Sequence, residues 1–377
     1  MNFELTEEQK MFQAMVRDFW AGEIAPHAAE WDEAEKLPYD VIKKMADAGL
    51  CGVHFPEEYG GSGDEVTFAI ATEEISRACA GIGVAYLVSL GLGMYPIVMH
   101  GSEQLKRHYI SRVINGAIVA FGLTEAMAGS DVAAMETKYA RQGDHYVLNG
   151  QKIFISNGAE ADFITTFATK DKSLGYRGIS AFVVDKGTKG FSVGKLERKM
   201  GLHPASVAEL IFDDCKIPVA NMLGEEGRGF RVALEGIDAS RVSIAAQALG
   251  IAQAAYDAAV AYAKERKQFD RPIGSFQVIQ HYCADMATDV DSARFSTYQA
   301  AWTLSEGLPC AKEVAIAKAW ISEASQRVFA LAHQIHGAIG VTMEHDLHYY
   351  TRRAKAAELA FGDADFYREV VAREMGL

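Results

Sequence analysis

Leu123–Asp131 (LTEAMAGSD) and Lys152–Gly158 (KIFISNG) decide how this chain is read, because each closes a strand-like segment with small or polar residues. The first follows the β-branched and aromatic run AIVAFG at 117–122 and breaks into Ala, Gly and Ser, where backbone N–H groups can approach an anion with no side chain in the way. The second lies beyond Asn149-Gly150, a hairpin signal inside YVLNGQKIFIS. Both runs therefore predict polar loops carried on strands.

Outward from these runs the hydrophobic period changes. Residues 1–120 read as helices: Thr6 with Gln9 forms a capping box, and Pro38 opens a helix that stops near Gly49. In the centre, IVAFGL, FITTFAT, ISAFVVD and AELIFDD are short and β-branched, with turn residues between them. Beyond about Gly229 the helical period returns in long Ala-rich stretches. This order predicts an α+β protein in which an antiparallel β domain (121–229) packs between helical domains (1–120 and 230–377). No internal repeat or low-complexity segment interrupts it.

At 377 residues, 49% hydrophobic and 23% charged, the chain can bury a large core. Its net charge of −13 opposes nonspecific binding to nucleic acid or to an anionic membrane. Cys51, Cys79, Cys215, Cys283 and Cys310 are scattered with no CxxC pair, so neither a disulfide framework nor a metal site is expected. The start, MNFELTEEQ, has no basic segment followed by an apolar one. The sequence is further read as lacking an uncharged apolar run of about 18 residues. A cytoplasmic, most simply bacterial, protein that binds no membrane is the expectation.

Five more segments stand in a fixed order: FPEEY with Gly-Gly-Ser-Gly at 60–63, DDCKIP at 213–218, LGEEGRGF at 223–230, ERKQFDRPIGSFQ at 265–277 and HQIHGAIG at 333–340. With the two opening runs, they resemble the acyl-CoA dehydrogenase family along nearly the whole chain. The resemblance implies a helical N-terminal domain, a β middle domain and a C-terminal four-helix bundle, assembled as a homotetramer. It also implies FAD as cofactor, an acyl-CoA substrate, and an electron-transfer flavoprotein or similar acceptor. The family's flavin-ring pattern falls on Phe121, Leu123 and Thr124, with Ser130 near the phosphate and CoA groups. Phe154 stands where Trp is frequent, and Ser156 where Thr is frequent. The pyrophosphate and adenine pattern falls on Arg266, Gln268 and Phe269 and on Gln334, Gly337 and Gly340, acting on the FAD of a neighbouring subunit; Ala338 replaces a common second Gly. Phe230, Leu234, Ile237, Asp238 and Arg241 match the helix that lines the acyl channel.

The family's catalytic Glu, which takes a proton from the acyl Cα, comes from one of two places. One follows an Arg-Asp-Ala-Lys run, here Arg352-Arg353-Ala354-Lys355, and its position holds Phe361, followed by Gly362. The other precedes Arg241 and holds Ser240. Neither residue accepts a proton unaided, although the backbone N–H of Phe361 can still hold a thioester oxygen. Asp363 is either a relocated base or a solvated loop carboxylate. The sequence thus predicts a dehydrogenase of unsaturated or cyclic acyl-CoA, such as a cyclohexene-carboxyl thioester, acting by 1,4-type elimination with a base elsewhere. Alternatives are a saturated acyl-CoA dehydrogenase with a relocated carboxylate, a non-catalytic partner subunit in a mixed oligomer, and an elimination without net oxidation.

Overall fold

The computed structural model describes residues 4–377. Seven helices come first: α1 Glu7–Glu23, α2 Ala28–Ala34, α3 Tyr39–Asp47, α4 Glu65–Ala78, α5 Ala80–Leu87, α6 Tyr95–His100 and α7 Glu103–Ile114. The predicted capping box is formed, Thr6 accepting from the Gln9 N–H and Gln9 from the Thr6 N–H. Pro38 sits one residue earlier than expected, as the N-cap of α3, and Gly49 takes φ +78° just past its end.

Eight strands follow: β1 Val119–Gly122, β2 Lys138–Gln142, β3 His145–Ser156, β4 Phe163–Thr169, β5 Ile179–Asp185, β6 Phe191–Leu196, β7 Val207–Pro218 and β8 Met222–Leu223. The sheet runs β6-β7-β3-β2-β4-β5-β8, with β1 on β4. Most ladders are antiparallel, as expected, but β1 runs parallel to β4 and a single parallel bridge joins β2 to β4. The sheet is therefore mixed. Its first strand arrives from a helix rather than through a hairpin, which frees it to run parallel.

The hairpin is not at Asn149-Gly150. It closes at Gly143-Asp144, with Gln142 opposite His145, and β3 runs straight through Asn149-Gly150. Gly150, at φ +146°, sits at a register shift against β7, and a Cβ there would lie 2.6 Å from the Thr137 Cα. The Asn-Gly pair thus marks a bulge and a close backbone approach, which the same residues serve as well as a turn.

The C-terminal part holds α8 Gly229–Glu265, a short hairpin of β9 Lys267–Gln268 and β10 Arg271–Pro272, then α9 Gln277–Ser305, α10 Ala311–His336, α11 Leu347–Leu359 and α12 Ala364–Glu374. Ala-rich faces of α8 and α10 meet Met286 and Val290 of α9 and Leu347, Ala354 and Ala357 of α11 in one core. These helices form the expected bundle. The N-terminal half of α8 instead packs on the helical domain through Val232 and Ala233.

A further sequence expectation fails. Ala80–His100 is a 21-residue uncharged run, long and apolar enough to cross a membrane by length and composition. Here it is α5, a π-helical turn at Val88–Leu92, and α6, and 78% of its most apolar window is buried inside the protein. Length and composition are the same for a core segment and a membrane span; packing separates them.

Candidate functional site

The two opening runs lie side by side. The Ile153 N–H of β3 donates to Thr124 O (2.9 Å), just past the end of β1. A register shift between Lys152 and Ile155 turns both of those side chains inward, and Phe154, at φ +57°, is pushed out with 60% of its surface exposed. A bulky residue at positive φ is strained, so the bulge is a built feature. Phe121 and Leu123 are buried beside it, Phe121 edge-on to Phe167 at 5.0 Å. Thr124 and Ser156 are half-buried, and Ser130 is exposed in the loop. This brings five of the six predicted ring-end residues to one sheet edge, with Ser130 on the loop beyond.

A buried ion pair joins the runs. Lys152 Nζ, fully buried, donates to Glu125 Oε1 (2.6 Å) and Leu123 O (3.1 Å). Glu125 also accepts the N–H groups of Glu136 (2.5 Å) and Thr137 (3.1 Å). Burial pushes the Lys152 ammonium down to about 8 against the pull of Glu125. Burial opposes the Glu125 carboxylate too, but Lys152 and these donors overcome it and hold its pKa below the usual range. Beyond the strand, Asn157 at φ +60° donates from Nδ2 to Ala85 O (3.1 Å), Val119 O (3.1 Å) and Ser89 Oγ (3.3 Å). It locks the end of β3 to β1 and to the π-helical turn. Sequence reading passed over Glu125, Lys152 and Asn157, although two opposite charges inside otherwise apolar strand motifs are a legible sign of a buried pair.

The predicted pyrophosphate and adenine residues form a different surface. Arg266 ends α8, and the β9–β10 hairpin carries Phe269 and Asp270 at φ +52° and +60° on its tip. Phe269 is 87% exposed, and Arg266 and Gln268 are exposed beside it. Gln334 is exposed on the last turn of α10, and Gly337 follows at φ +64°. Gly340 is buried, where a Cβ would lie 3.0 Å from the His336 Cβ. Ala338 is exposed, so its extra methyl meets no obstacle.

At the acyl end, Phe230 and Ile237 of α8 pack on the helical-domain core while Leu234 stands 40% exposed. Arg241 forms a close ion pair with Asp238, whose pKa is raised chiefly by burial. The hydroxyl of buried Ser240 donates back to Gly236 O (2.7 Å) within its own helix. Phe361, at φ +57°, lies just beyond the last helical bond of α11, Ala360 N–H to Ala356 O, and packs against the helical-domain core. Gly362 follows at φ +106°. Asp363 is the N-cap of α12, its Oδ1 accepting the Phe366 N–H (3.0 Å), so its carboxylate has a structural use.

Three family models match in order: acyl-CoA dehydrogenase N-terminal domain over residues 6–117, middle domain over 120–215 and C-terminal domain over 227–376. The short-chain specific acyl-CoA dehydrogenase of Clostridium acetobutylicum is 42% identical over 374 residues, 99% of each chain. The chain belongs to the acyl-CoA dehydrogenase family. Among solved structures, butyryl-CoA dehydrogenase from Megasphaera elsdenii is 38% identical with a TM-score of 0.96, all of both chains being covered. A chain in the structure of the electron transferring flavoprotein of Acidaminococcus fermentans is 44% identical with a TM-score of 0.96, covering 100% of this chain and 99% of that one.

As an acyl-CoA dehydrogenase the protein is an oxidoreductase acting on CH–CH groups, and its cofactor is FAD. The residues present fit that group. Phe154 offers an exposed aromatic face with Leu123, Thr124 and Ser156 around it, a setting for a flat ring. Arg266 offers charge-assisted donors, and the buried Gly340 permits close backbone approach.

Proposed function

We propose that this chain is an FAD-dependent acyl-CoA dehydrogenase for a cyclic or unsaturated acyl-CoA, with its proton acceptor outside the family's two usual positions. The observation that carries the reading is the state of those positions. Phe361 has no proton-accepting atom on its side chain, and the Ser240 hydroxyl is committed to Gly236 O. Bound FAD supplies the hydride acceptor. Phe154, Leu123, Thr124 and Ser156 hold its ring, and the Phe361 N–H holds the thioester oxygen and stabilises charge that develops there.

An α,β-unsaturated thioester makes its γ C–H acidic by vinylogy. Loss of that proton and of a hydride from another ring carbon breaks two C–H bonds and forms one C=C bond, so the product is a conjugated dienoyl thioester. No carboxylate beside Cα is needed. The Phe361 ring is an apolar wall where one would stand, which suits a compact ring such as cyclohexene-carboxyl. Anaerobic mixing tests this directly: cyclohexene-carboxyl-CoA should bleach the flavin, and rapid bleaching by butyryl-CoA would overturn the reading.

The divisions 1–120, 121–229 and 230–377 serve as the three domains. A cytoplasmic homotetramer in which Arg266, Gln268, Phe269, Gln334, Gly337 and Gly340 close over a neighbour's FAD accounts for the exposure of all of them but the buried Gly340. The likeness to a chain found with an electron transferring flavoprotein supports an acceptor of that kind.

A further inference from the structure

Phe361 and Gly362 both lie at positive φ, a conformation that a bulky residue such as Phe holds only when its surroundings impose it. Two side chains outside the turn do so. Lys318 of α10, 1% exposed, donates from Nζ to Glu358 O (2.9 Å), Ala357 O (3.2 Å) and Gly362 O (3.0 Å), with Ser322 Oγ also at 3.0 Å. The first two acceptors are orphan carbonyls in the last turn of α11, and the third lies beyond the turn. From the other side Tyr367 of α12, also 1% exposed, donates its hydroxyl to Phe361 O (2.5 Å). A Cβ on Gly362 would lie 3.1 Å from the Tyr367 ring, so glycine is what lets ring and turn pack this closely.

The Tyr367 ring also reports on the substrate helix. The Arg241 guanidinium stands 5.3 Å over it and Lys318 Nζ 6.0 Å from it. Arg241 is in turn paired with Asp238. A continuous chain of contacts therefore runs from α8 through Tyr367 to the Phe361 carbonyl.

We propose that Lys318 and Tyr367 are positioning residues which fix the Phe361–Gly362 turn so that the Phe361 N–H points at the thioester oxygen. The proposal rests on the acyl-CoA reading above and adds to it the residues that aim the donor. Neither side chain touches the reacting atoms. The ammonium holds the Ala357 and Glu358 carbonyls before the turn and the Gly362 carbonyl after it, and the phenol holds the Phe361 carbonyl, so the helix end before the Phe361 N–H and the peptide that follows it are both fixed, which limits how far the N–H can swing. A backbone donor without this support would swing out of line, and misplacement of about 1 Å costs on the order of 10²-fold in rate.

The test uses the FAD-loaded protein and a conjugated aryl-acryloyl-CoA, a probe whose absorption moves to longer wavelength when its carbonyl is polarised. The wild-type protein should red-shift the bound probe. Tyr367→Phe, which removes one hydroxyl, and Lys318→Met, which keeps the length of the side chain, should both shrink that shift at unchanged FAD content. Each should lower kcat by about 10–100-fold with a smaller change in KM. A shift and kcat equal to wild type in Tyr367→Phe overturns the assignment, and that variant decides the matter even if Lys318→Met fails to fold. Failure of the wild-type protein to bind the probe at all would instead sink the acyl-CoA reading on which the proposal rests.

Discussion

On the site assignment proposed above, the flavin-ring end and the adenine end are built on opposite plans. At the ring end the charges are inside the protein: Lys152 is fully buried against Glu125, and the Asn157 amide reaches three acceptors, one each in α5, the π-helical turn and β1. At the adenine end the polar and aromatic groups are outside: Arg266, Gln268, Phe269 and Gln334 are all exposed, with Phe269 held on the tip of a strained hairpin. The first plan makes a site from one chain. The second, on that assignment, makes a surface that a neighbouring subunit completes. On the function proposed above, ring binding is a property of the fold and cofactor retention is a property of the assembly.

The contrast can be broken most forcefully at the buried pair. Lys152→Met strands the Glu125 carboxylate without its partner, and breaking such a pair costs about 3–5 kcal/mol. Urea denaturation should show a loss of that size together with loss of bound flavin, and the double variant with Glu125→Gln, which removes the charge but keeps an acceptor for the Glu136 and Thr137 N–H groups, should recover most of it. A single variant as stable as wild type would mean that the pair does not tie the two runs together.

Phe361→Glu addresses the neighbouring acyl end. General-base catalysis is worth about 10²–10⁴-fold, so the variant should gain oxidation of butyryl-CoA by up to that factor, followed by flavin bleaching. No gain, with substrate still binding, would place the missing base somewhere other than over Cα.

At the outer surface, Arg266→Ala and Phe269→Ala should lower flavin occupancy and shift sedimentation toward smaller species, while leaving the melting of the sheet unchanged. Full flavin content in an intact assembly would reduce the hairpin to a surface ornament.

Acid should separate the two ends most gently. Burial holds the pKa of His333 and His336 below the usual 6.5, with His345 adding repulsion, and burial likewise lowers His348. The unfolded chain therefore takes up protons that these sites resist, and their contribution to stability falls as pH drops below 6.5. Glu125, lowered from 4.5, contributes fully above that value and is lost as pH falls through its folded pKa. Flavin release and dissociation should therefore begin as pH falls below 6.5, before the ring end loosens below 4.5. Simultaneous loss of both, followed by flavin fluorescence and sedimentation, would mean that the ends do not behave as separate units.

Much was legible in the sequence. The alternation of hydrophobic periods marks helical, β and helical regions, and the capping box at Thr6 is local chemistry that needs no partner. The absence of a proton acceptor at Phe361 is likewise fixed by residue identity. Local signals failed where one pattern serves two ends. Asn149-Gly150 has the composition of a turn but sits in the middle of β3, where Thr137, just before β2, approaches Gly150 closely. Ala80–His100 has the composition of a membrane span but is buried in the helical domain.

What only the tertiary structure decided is which distant groups meet. Lys152 finds Glu125 across 27 positions, and Lys318 finds Gly362 across 44. Sequence supplied each of these charges, and the family pattern supplied the neighbourhood of Phe361. The pairing itself depends on packing in three dimensions, since a buried ammonium is tolerable only where the fold brings enough acceptors to surround it.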